Sequence, residues 1–258
     1  MNILAIGDVV GTGGCSFLRE NLNKIKEQYK IDLTIANGEN SAENNGINLA
    51  SAKYLLQSGV DVVTSGNHAF QRMESKEVYE NNKTIIRPAN YPEKTTPGSG
   101  YCYIKCNNLE VLVINVLGTT FLEALKNPFE TVDDILNLNN NRTKIIVLDL
   151  HAEATAEKIA MGFYLDGRVS AIFGTHTHVQ TADDRVLPKG TGYITDVGMT
   201  GAINSVLGIE PEVIIKRCIT HLPEKFVRAK GPHKMECIIF KIDENTGITV
   251  KTKRLVVT

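Results

Sequence analysis

Short runs of apolar residues alternate with amphipathic segments along most of the chain. The apolar runs are rich in isoleucine and valine and are bounded by glycine, asparagine or aspartate, which is typical of buried β-strands. They span residues 2–7, 32–38, 60–66, 83–89, 109–118, 143–150, 169–175 and 192–198. The amphipathic segments carry apolar residues three and four positions apart, which predicts helices over 17–30, 48–59, 130–138, 154–165 and 210–222.

This alternation predicts an α/β fold, a layered sandwich in which helices flank central β-sheets. The last 23 or so residues are expected to form a β-hairpin that turns around Glu244 to Gly247. No internal repeat, low-complexity block or linker rich in proline or serine interrupts the pattern. We therefore expect residues 1–258 to form a single domain, since a chain of this length can bury a sizeable core.

Composition excludes several classes of protein. The formal charge is −1, from 28 basic and 29 acidic residues, so we expect no strong nucleic-acid binding and no attraction to an anionic membrane. No stretch approaches the ~20 apolar residues of a membrane span, and the first ten residues lack the features of a signal peptide. The five cysteines form no CxxC motif, and their odd number argues against a disulfide framework. A cytoplasmic protein with reduced thiols is the expectation.

Polar residues follow five of the predicted strands at the point where each strand ends. In open α/β sheets, ligands bind beyond the carboxyl ends of the strands. Taken singly, these residues have simpler interpretations: Asp8 as a helix N-cap, Asn67 as a turn residue, His151 as a core histidine. Those interpretations do not explain why all five ends carry groups able to bind a metal, namely Asp8, Glu39, Asn40, Asn67, His151, His176 and His178.

The "HTH" stretch is the most specific of these signals. Positions i and i+2 of an extended segment face the same way, so His176 and His178 are expected to face one point. A mixed set of oxygen and nitrogen ligands without cysteine favours manganese or iron, with zinc as an alternative. Seven ligands are too many for one ion with an open position, but they suffice for two ions that share a carboxylate.

The order of these residues resembles the calcineurin-like metallophosphoesterase superfamily. The matching stretches are "GDVVG", "NGENSAENNG", "SGNHAF", "DLHAEATAEK" and "GTHTHVQTADDR". The chain departs from the wider superfamily at Val10, Glu39 and Ala69, and these departures are similar to those of the YmdB-like phosphodiesterases. "RPANYPEKTTPG" and most of residues 151–202 extend the resemblance over nearly the whole chain.

The resemblance implies a dinuclear metal centre on a metallophosphoesterase-like fold. Asp8, Asn40 and His178 would bind one ion, Asn67, His151 and His176 the other, and Glu39 would bridge them. It also implies hydrolysis of phosphodiesters, with 2′,3′-cyclic nucleotides, notably 2′,3′-cyclic AMP, as the substrate class. A hydroxide between the ions would attack phosphorus. We expect His68 to be the general acid that protonates the leaving ribose oxygen, with a purely structural role as the alternative.

Alternatives to this activity remain open at the level of sequence. Another metallophosphoesterase, such as a nucleotidase or phosphomonoesterase, would use the same ligands, because loops set the substrate pocket. A regulatory protein that senses a nucleotide without turnover is the alternative from another class. A dehydrogenase of Rossmann type is disfavoured, because Ser16 stands at the last glycine of GxGxxG. Arg87, Thr119 and Thr175 are candidate substrate contacts, Asp183 and Asp196 could orient the histidines, and a homo-oligomer is compatible with the resemblance.

Overall fold

The computed structural model describes all residues from 1 to 258 and contains thirteen strands and six helices. Numbered in chain order, the strands are β1 Asn2–Ile6, β2 Asp8–Val9, β3 Leu33–Asn37, β4 Val62–Thr64, β5 Tyr101–Cys106, β6 Leu109–Leu117, β7 Ile145–His151, β8 Ala171–Thr175, β9 Arg185–Val186, β10 Gly192–Ile194, β11 Met199–Ala202, β12 His233–Ile242 and β13 Thr249–Val257. The helices are α1 Gly11–Tyr29, α2 Leu49–Gln57, α3 Ser75–Asn81, α4 Pro128–Asn139, α5 Thr155–Leu165 and α6 Pro211–Thr220.

The strands form two sheets. One has the order β2-β11-β12-β1-β3-β4, with β13 paired to β12 in the predicted hairpin. The other has the order β5-β6-β7-β8-β10-β9. In the first sheet β1, β3 and β4 are parallel, and in the second so are β6, β7, β8 and β10. Consecutive parallel strands place their carboxyl ends at one edge of each sheet, where the predicted ligands lie.

Three hydrophobic clusters separate four layers. One cluster lies between the two sheets. It joins inward-facing residues of the first sheet, such as Ile35 and Phe240, to those of the second, such as Val113 and Phe173. The opposite face of the first sheet packs against α1 and α2, and that of the second against α4 and α5. The alternation of inward and outward residues along each strand makes this arrangement possible. The predicted α/β sandwich with flanking helices is thereby confirmed.

Several predicted boundaries are wrong. Residues 83–89 do not form a strand: Ile85 makes one isolated bridge to Val63, and Pro88 has no N–H to continue a ladder. Helix α1 begins at Gly11 instead of residue 17, and Gly11, Gly13 and Gly14 belong to its first turn. Gly14 is needed there, because a Cβ atom would lie 2.4 Å from the carbonyl oxygen of Thr200.

Other features of the chain agree with the sequence. No helix has the length and apolar character needed to cross a membrane. All five cysteines are free; Cys218 is exposed and the other four are buried.

Helix α6 differs from the other five helices in that none of its residues is buried. It belongs to the excursion of residues 203–232 between β11 and β12.

Candidate metal centre

The seven predicted ligands come together at the edge where the strands end. We call this group, Asp8, Glu39, Asn40, Asn67, His151, His176 and His178, the polar cluster. Asp8 opens β2 directly after β1, Glu39 and Asn40 follow β3, and Asn67 follows β4. His151 ends β7, and the two remaining histidines follow β8. Both sheets therefore contribute, and the contacts between members are direct.

Glu39 occupies the middle of the polar cluster and is fully buried. Its Oε1 atom lies 3.2 Å from Nε2 of His151 and 3.3 Å from Nδ2 of Asn40. Burial acts to raise the pKa of Glu39, but the charges and hydrogen bonds of His151 and His68 hold it well below its usual range. The side chain is therefore a buried, anionic carboxylate.

On one side of Glu39, acceptor atoms crowd around His151. Its Nε2 atom lies 2.9 Å from Oδ1 of Asn67 and 3.0 Å from Nδ1 of His176. The ligand atoms of Glu39, His151 and His176 all lie within 4.8 Å of one another, so these three residues could hold a metal ion.

On the other side, Asp8 and His178 face each other. Nε2 of His178 lies 3.5 Å from Oδ1 of Asp8, and Nδ2 of Asn40 lies 3.3–3.4 Å from both atoms. Burial would raise the pKa of Asp8, yet the neighbouring His178 lowers it. In turn, burial would lower the pKa of His178 and Asp8 raises it. This half of the cluster holds a buried carboxylate that is stabilised by positive charge.

Each of the three histidines has a partner for the ring nitrogen that points away from the cluster. Nδ1 of His178 lies 3.2 Å from the carbonyl oxygen of Leu207, which can only accept. Nε2 of His176 lies 3.1 Å from Oε2 of Glu153. Nδ1 of His151 lies 2.9 Å from Oγ1 of Thr175, whose own proton goes to Asp149. In the neutral imidazoles, these partners favour protons on the outer nitrogens and leave the inner nitrogens as electron-pair donors, as in metal-binding histidines.

A cation fits this donor set. The inner nitrogens of His151 and His176 face each other at 3.0 Å, with Oδ1 of Asn67 and Oε1 of Glu39 also close to His151, and all four are acceptors in the neutral tautomers. Burial would lower the pKa of His151, but Glu39 raises it to about 9, so positive charge is favoured at this point. Burial and repulsion by His151 lower the pKa of His176 to about 4. The imidazole of His176 is therefore neutral, and its inner nitrogen is available to bind a cation.

The two histidines of "HTH" reach the cluster by a route that the sequence did not predict. The segment is not extended: β8 ends at Thr175, and His176 and His178 have φ angles of 99° and 61°. Such values are strained for residues other than glycine and need support from the surroundings. Lys158 and Asp196 supply it. Nζ of Lys158 donates to the Thr175 carbonyl oxygen, and Asp196 accepts from the amide of Thr177.

Two glycines near strand ends, Gly66 and Gly174, are required because their backbone lies very close to other parts of the protein. A Cβ atom on Gly66 would lie 2.1 Å from Cδ2 of His151, in the space of the imidazole ring. A Cβ atom on Gly174 would lie 1.8 Å from the carbonyl oxygen of Thr195. Only glycine allows the β4 loop and β8 to approach their neighbours this closely.

Asp8 does not act as a helix cap. Helix α1 has Val10 at its N-cap position, without a side-chain hydrogen bond. Both carboxylate oxygens of Asp8 instead face the polar cluster, where Oδ2 accepts from the amide of His176 at 3.1 Å. The simpler interpretation of this residue is therefore wrong.

His68 lies beside the cluster, against Glu39. Its amide donates to Oε2 of Glu39 at 2.8 Å, and its Nδ1 atom lies 3.0 Å from Oε1. Nε2 has no hydrogen-bond partner within the protein, and 28% of the side chain is exposed. Glu39 thus fixes the orientation of the ring and leaves one ring nitrogen open to the cleft.

The candidate substrate contacts have structural roles instead. Thr175 is fully buried between His151 and Asp149. Arg87 is 2% exposed and donates to the carbonyl oxygens of Pro88 and Gly98. Oγ1 of Thr119 bonds to Glu157. Of the two aspartates expected near the histidines, Asp196 supports their turn, whereas Asp183 bonds to Thr181 and Thr195.

Two functional neighbours escaped the sequence analysis. Asp149 is fully buried in β7, and burial raises its pKa to about 7 despite hydrogen bonds from Thr64 and Thr175. The sequence feature that could have indicated its role is an aspartate inside the apolar run "IIVLDL". Glu153 follows β7 by two residues and reaches His176 across the edge of the site. Nothing in the sequence distinguishes it from a solvated glutamate.

Comparison with known proteins decides the family. The model of the YmdB-like protein family matches residues 4–255. The chain belongs to this family. The 2′,3′-cyclic-nucleotide 2′-phosphodiesterase of Bacillus subtilis (strain 168) is 47% identical over 257 residues, covering 100% of this chain and 97% of the relative.

Two crystal structures have the same fold. A phosphatase from Mycoplasma pneumoniae is 34% identical, with a TM-score of 0.93 over 100% of this chain and 93% of its own. A hypothetical protein from Thermus thermophilus is 38% identical, with a TM-score of 0.92 over 99% and 98% of the two chains. The expected YmdB-like family, the metallophosphoesterase-like fold and the enzyme class, a phosphoester hydrolase, are confirmed.

Proposed function

We propose that this protein is a metal-dependent phosphodiesterase that hydrolyses 2′,3′-cyclic nucleotides, with 2′,3′-cyclic AMP favoured. The convergence of acceptor atoms from Asn67, His176 and Glu39 on Nε2 of His151 carries the proposal that metal ions bind here. The name of the Bacillus subtilis relative supports the substrate class. Because that name specifies the 2′ ester, we infer that the bond from phosphorus to the 2′ oxygen breaks and a 3′-nucleotide forms.

The polar cluster would hold two metal ions. Asp8, Asn40 and His178 form one group of ligands, Asn67, His151 and His176 the other, and Glu39 lies between them. Oxygen and imidazole ligands suit manganese or iron, and zinc is the alternative. Bound ions would supply Lewis acidity, lowering the pKa of the attacking water and neutralising charge on the phosphoryl oxygens.

His68 would protonate the leaving group. In the imidazolium form, Nδ1–H donates to Oε1 of Glu39, and Nε2–H is available to the ribose oxygen as its bond to phosphorus breaks. An alkoxide is a poor leaving group, so this proton is needed for a ribose ester. Other residues position the proposed ligands. Thr175, Glu153 and the carbonyl group of Leu207 hold the imidazoles of the three histidines. Lys158 and Asp196 hold the turn that carries His176 and His178.

Hydrolysis of 2′,3′-cyclic AMP tests the activity. Protein stripped of metal and reloaded with Mn²⁺ should convert the substrate to 3′-AMP, and the stripped protein should not. Release of inorganic phosphate from 3′-AMP would favour the phosphomonoesterase alternative, which the Mycoplasma pneumoniae phosphatase supports. Metal-loaded protein that leaves 2′,3′-cyclic AMP intact would overturn the proposed function.

A second substrate tests the role of His68. The nitrophenolate of bis(p-nitrophenyl) phosphate leaves without protonation, whereas the ribose oxygen does not. We expect His68→Ala to reduce kcat on 2′,3′-cyclic AMP by about 10²–10⁴-fold, the usual contribution of a general acid. The same variant should retain most of its kcat on the nitrophenyl ester. Equal losses on both substrates would assign His68 a structural role.

We also infer that residues 1–258 form one domain, because the site is incomplete without either sheet. Asp8 and Glu39 follow strands of the first sheet, whereas His151 and His176 lie at the ends of strands of the second. The inter-sheet core joins the two sheets along their length.

A further inference from the structure

A cleft leads from the polar cluster past His68. It consists of two adjoining cavities of about 340 and 390 Å³, a size typical of small-molecule sites. The first includes the ligand residues Glu39, Asn40, His176 and His178. The second extends to Asn44, Gln71 and Lys225. Five residues line both cavities: Asn45, His68, Ile209, Phe226 and Arg228.

The shared residues set an order along the cleft. Ligand residues of the polar cluster line only the first cavity, whereas His68, Asn45 and Phe226 line both, and Asn44 and Gln71 line only the second. A group that is bonded to a phosphate at the cluster and is protonated by His68 as it leaves can extend into the second cavity, because His68 lines both cavities. This order matches a nucleotide, in which phosphate, ribose and base follow one another.

Phe226 presents an aromatic ring to this cleft. It is 39% exposed and lies in the excursion of residues 203–232, after α6. The guanidinium carbon of Arg217 lies 5.3 Å from the centre of the ring and supports it. A partly exposed aromatic ring within a polar cavity suits stacking with another planar ring.

Asn45 provides a hydrogen-bond donor beside that ring. A guanidinium nitrogen of Arg228 donates to its Oδ1 atom at 2.5 Å, which fixes the orientation of the amide. Its Nδ2 atom has no partner within the protein. The N1, N3 and N7 ring nitrogens of adenine are acceptors, so this amide can bind the edge of an adenine that stacks on Phe226.

We propose that the second cavity is a nucleobase subsite in which Phe226 stacks on the base and Asn45 binds its edge. This inference rests on the proposed function, since it assumes that the phosphate of the same molecule lies at the polar cluster. It makes the excursion of residues 203–232 the element that determines substrate specificity. Helix α6, which is without buried residues, belongs to that element and provides Arg217.

A pair of substrates isolates the contribution of the base. The first is 2′,3′-cyclic AMP and the second is methyl riboside 2′,3′-cyclic phosphate, which has the same reacting group and no base. We expect Phe226→Ala to lower kcat/KM on 2′,3′-cyclic AMP by about tenfold, mainly through KM, within the range for loss of one stacked base. The base-free substrate should be unaffected, and Phe226→Tyr should restore the value for 2′,3′-cyclic AMP. Phe163→Ala, at an exposed phenylalanine of α5, is the matched control.

Binding of adenosine supplies a readout that does not depend on turnover. Calorimetry on metal-stripped protein should detect adenosine but not ribose, with Phe226→Ala weakening binding by about tenfold. Binding of adenosine by a protein that does not hydrolyse 2′,3′-cyclic AMP would overturn the proposed function and leave the subsite standing. Hydrolysis of both substrates with equal kcat/KM, unchanged in Phe226→Ala, would overturn the subsite and leave the function standing.

Discussion

Nζ of Lys158 lies 2.7 Å from Oδ2 of Asp196, and both side chains are fully buried. The pair stands behind the turn that carries His176 and His178. Lys158 also donates to the Thr175 carbonyl oxygen, and Asp196 also accepts from both the amide and the hydroxyl of Thr177. One buried ion pair thus holds a backbone with two residues at positive φ.

Replacement of this lysine should destabilise the protein strongly. In Lys158→Met, Asp196 stays buried without its partner, which costs about 3–5 kcal/mol in the free energy of unfolding. Urea unfolding measures the loss. Lys126→Met is the matched control, because its partner Asp134 is exposed, and little change is expected. A Lys158→Met protein as stable as the wild type would show that the pair does not support the turn.

Gly66→Ala should damage the site more than the fold. The added Cβ would lie 2.1 Å from the His151 ring, so the ring must move away from Asn67 and Glu39. We expect loss of Mn²⁺ binding in calorimetry while the circular dichroism spectrum is retained. Gly201→Ala, whose nearest contact is Cβ of Val10 at 3.3 Å, should bind metal normally. Normal Mn²⁺ affinity in Gly66→Ala would contradict the position assigned to His151.

Thr175→Val tests the hydrogen bond that orients His151. The substitution keeps the shape of the side chain but removes the hydroxyl between Nδ1 of His151 and Asp149. Loss of such a partner lowers metal affinity about 10–100-fold. Competition with a chelator measures the affinity, and Thr175→Ser should restore it. Equal affinities of wild type and Thr175→Val would show that the tautomer of His151 is set by something else.

The sequence predicted the location of the site far better than its internal geometry. The proposed ligands could be located because each follows an apolar run, and parallel strands end at a common edge. The conformation of residues 176–178 could not be predicted, since it depends on Lys158 and Asp196, which are distant in the sequence. Asp149 and Glu153 were missed for the same reason: their roles exist only once Thr175 and His176 are in position.

The errors in secondary structure also have local causes. The apolar run 83–89 has the composition of a strand, but Pro88 cannot donate, and the amides of Arg87 and Ala89 bond to Ser99 and Asn115. The first helix was expected to begin at residue 17, but Gly11, Gly13 and Gly14 form its first turn, which approaches β11 closely. Short elements such as β2 and β9, of two residues each, carry no periodic signal.

Asp183 should stabilise the folded protein at neutral pH, and this contribution should be lost in acid. Burial acts to raise its pKa, but hydrogen bonds from Thr181 and Thr195 lower it below the usual value of 3.8. A carboxyl group with a lowered pKa in the folded protein stabilises it above the unfolded pKa, and this stabilisation is lost as the pH falls below about 3.8. Asp183→Asn should therefore be less stable at pH 7 and show a shallower loss of stability below pH 4. Parallel acid-unfolding curves for the two proteins would contradict this.

The central claim is that the polar cluster binds two metal ions and that hydrolysis depends on them. The most direct test is a titration of metal-stripped protein with Mn²⁺, in which bound metal and turnover of 2′,3′-cyclic AMP are measured together. We predict that turnover rises from background to a plateau at two ions per chain, and that Glu39→Gln does not reach this plateau. Full turnover by the stripped protein, or a plateau at one ion per chain, would contradict the claim.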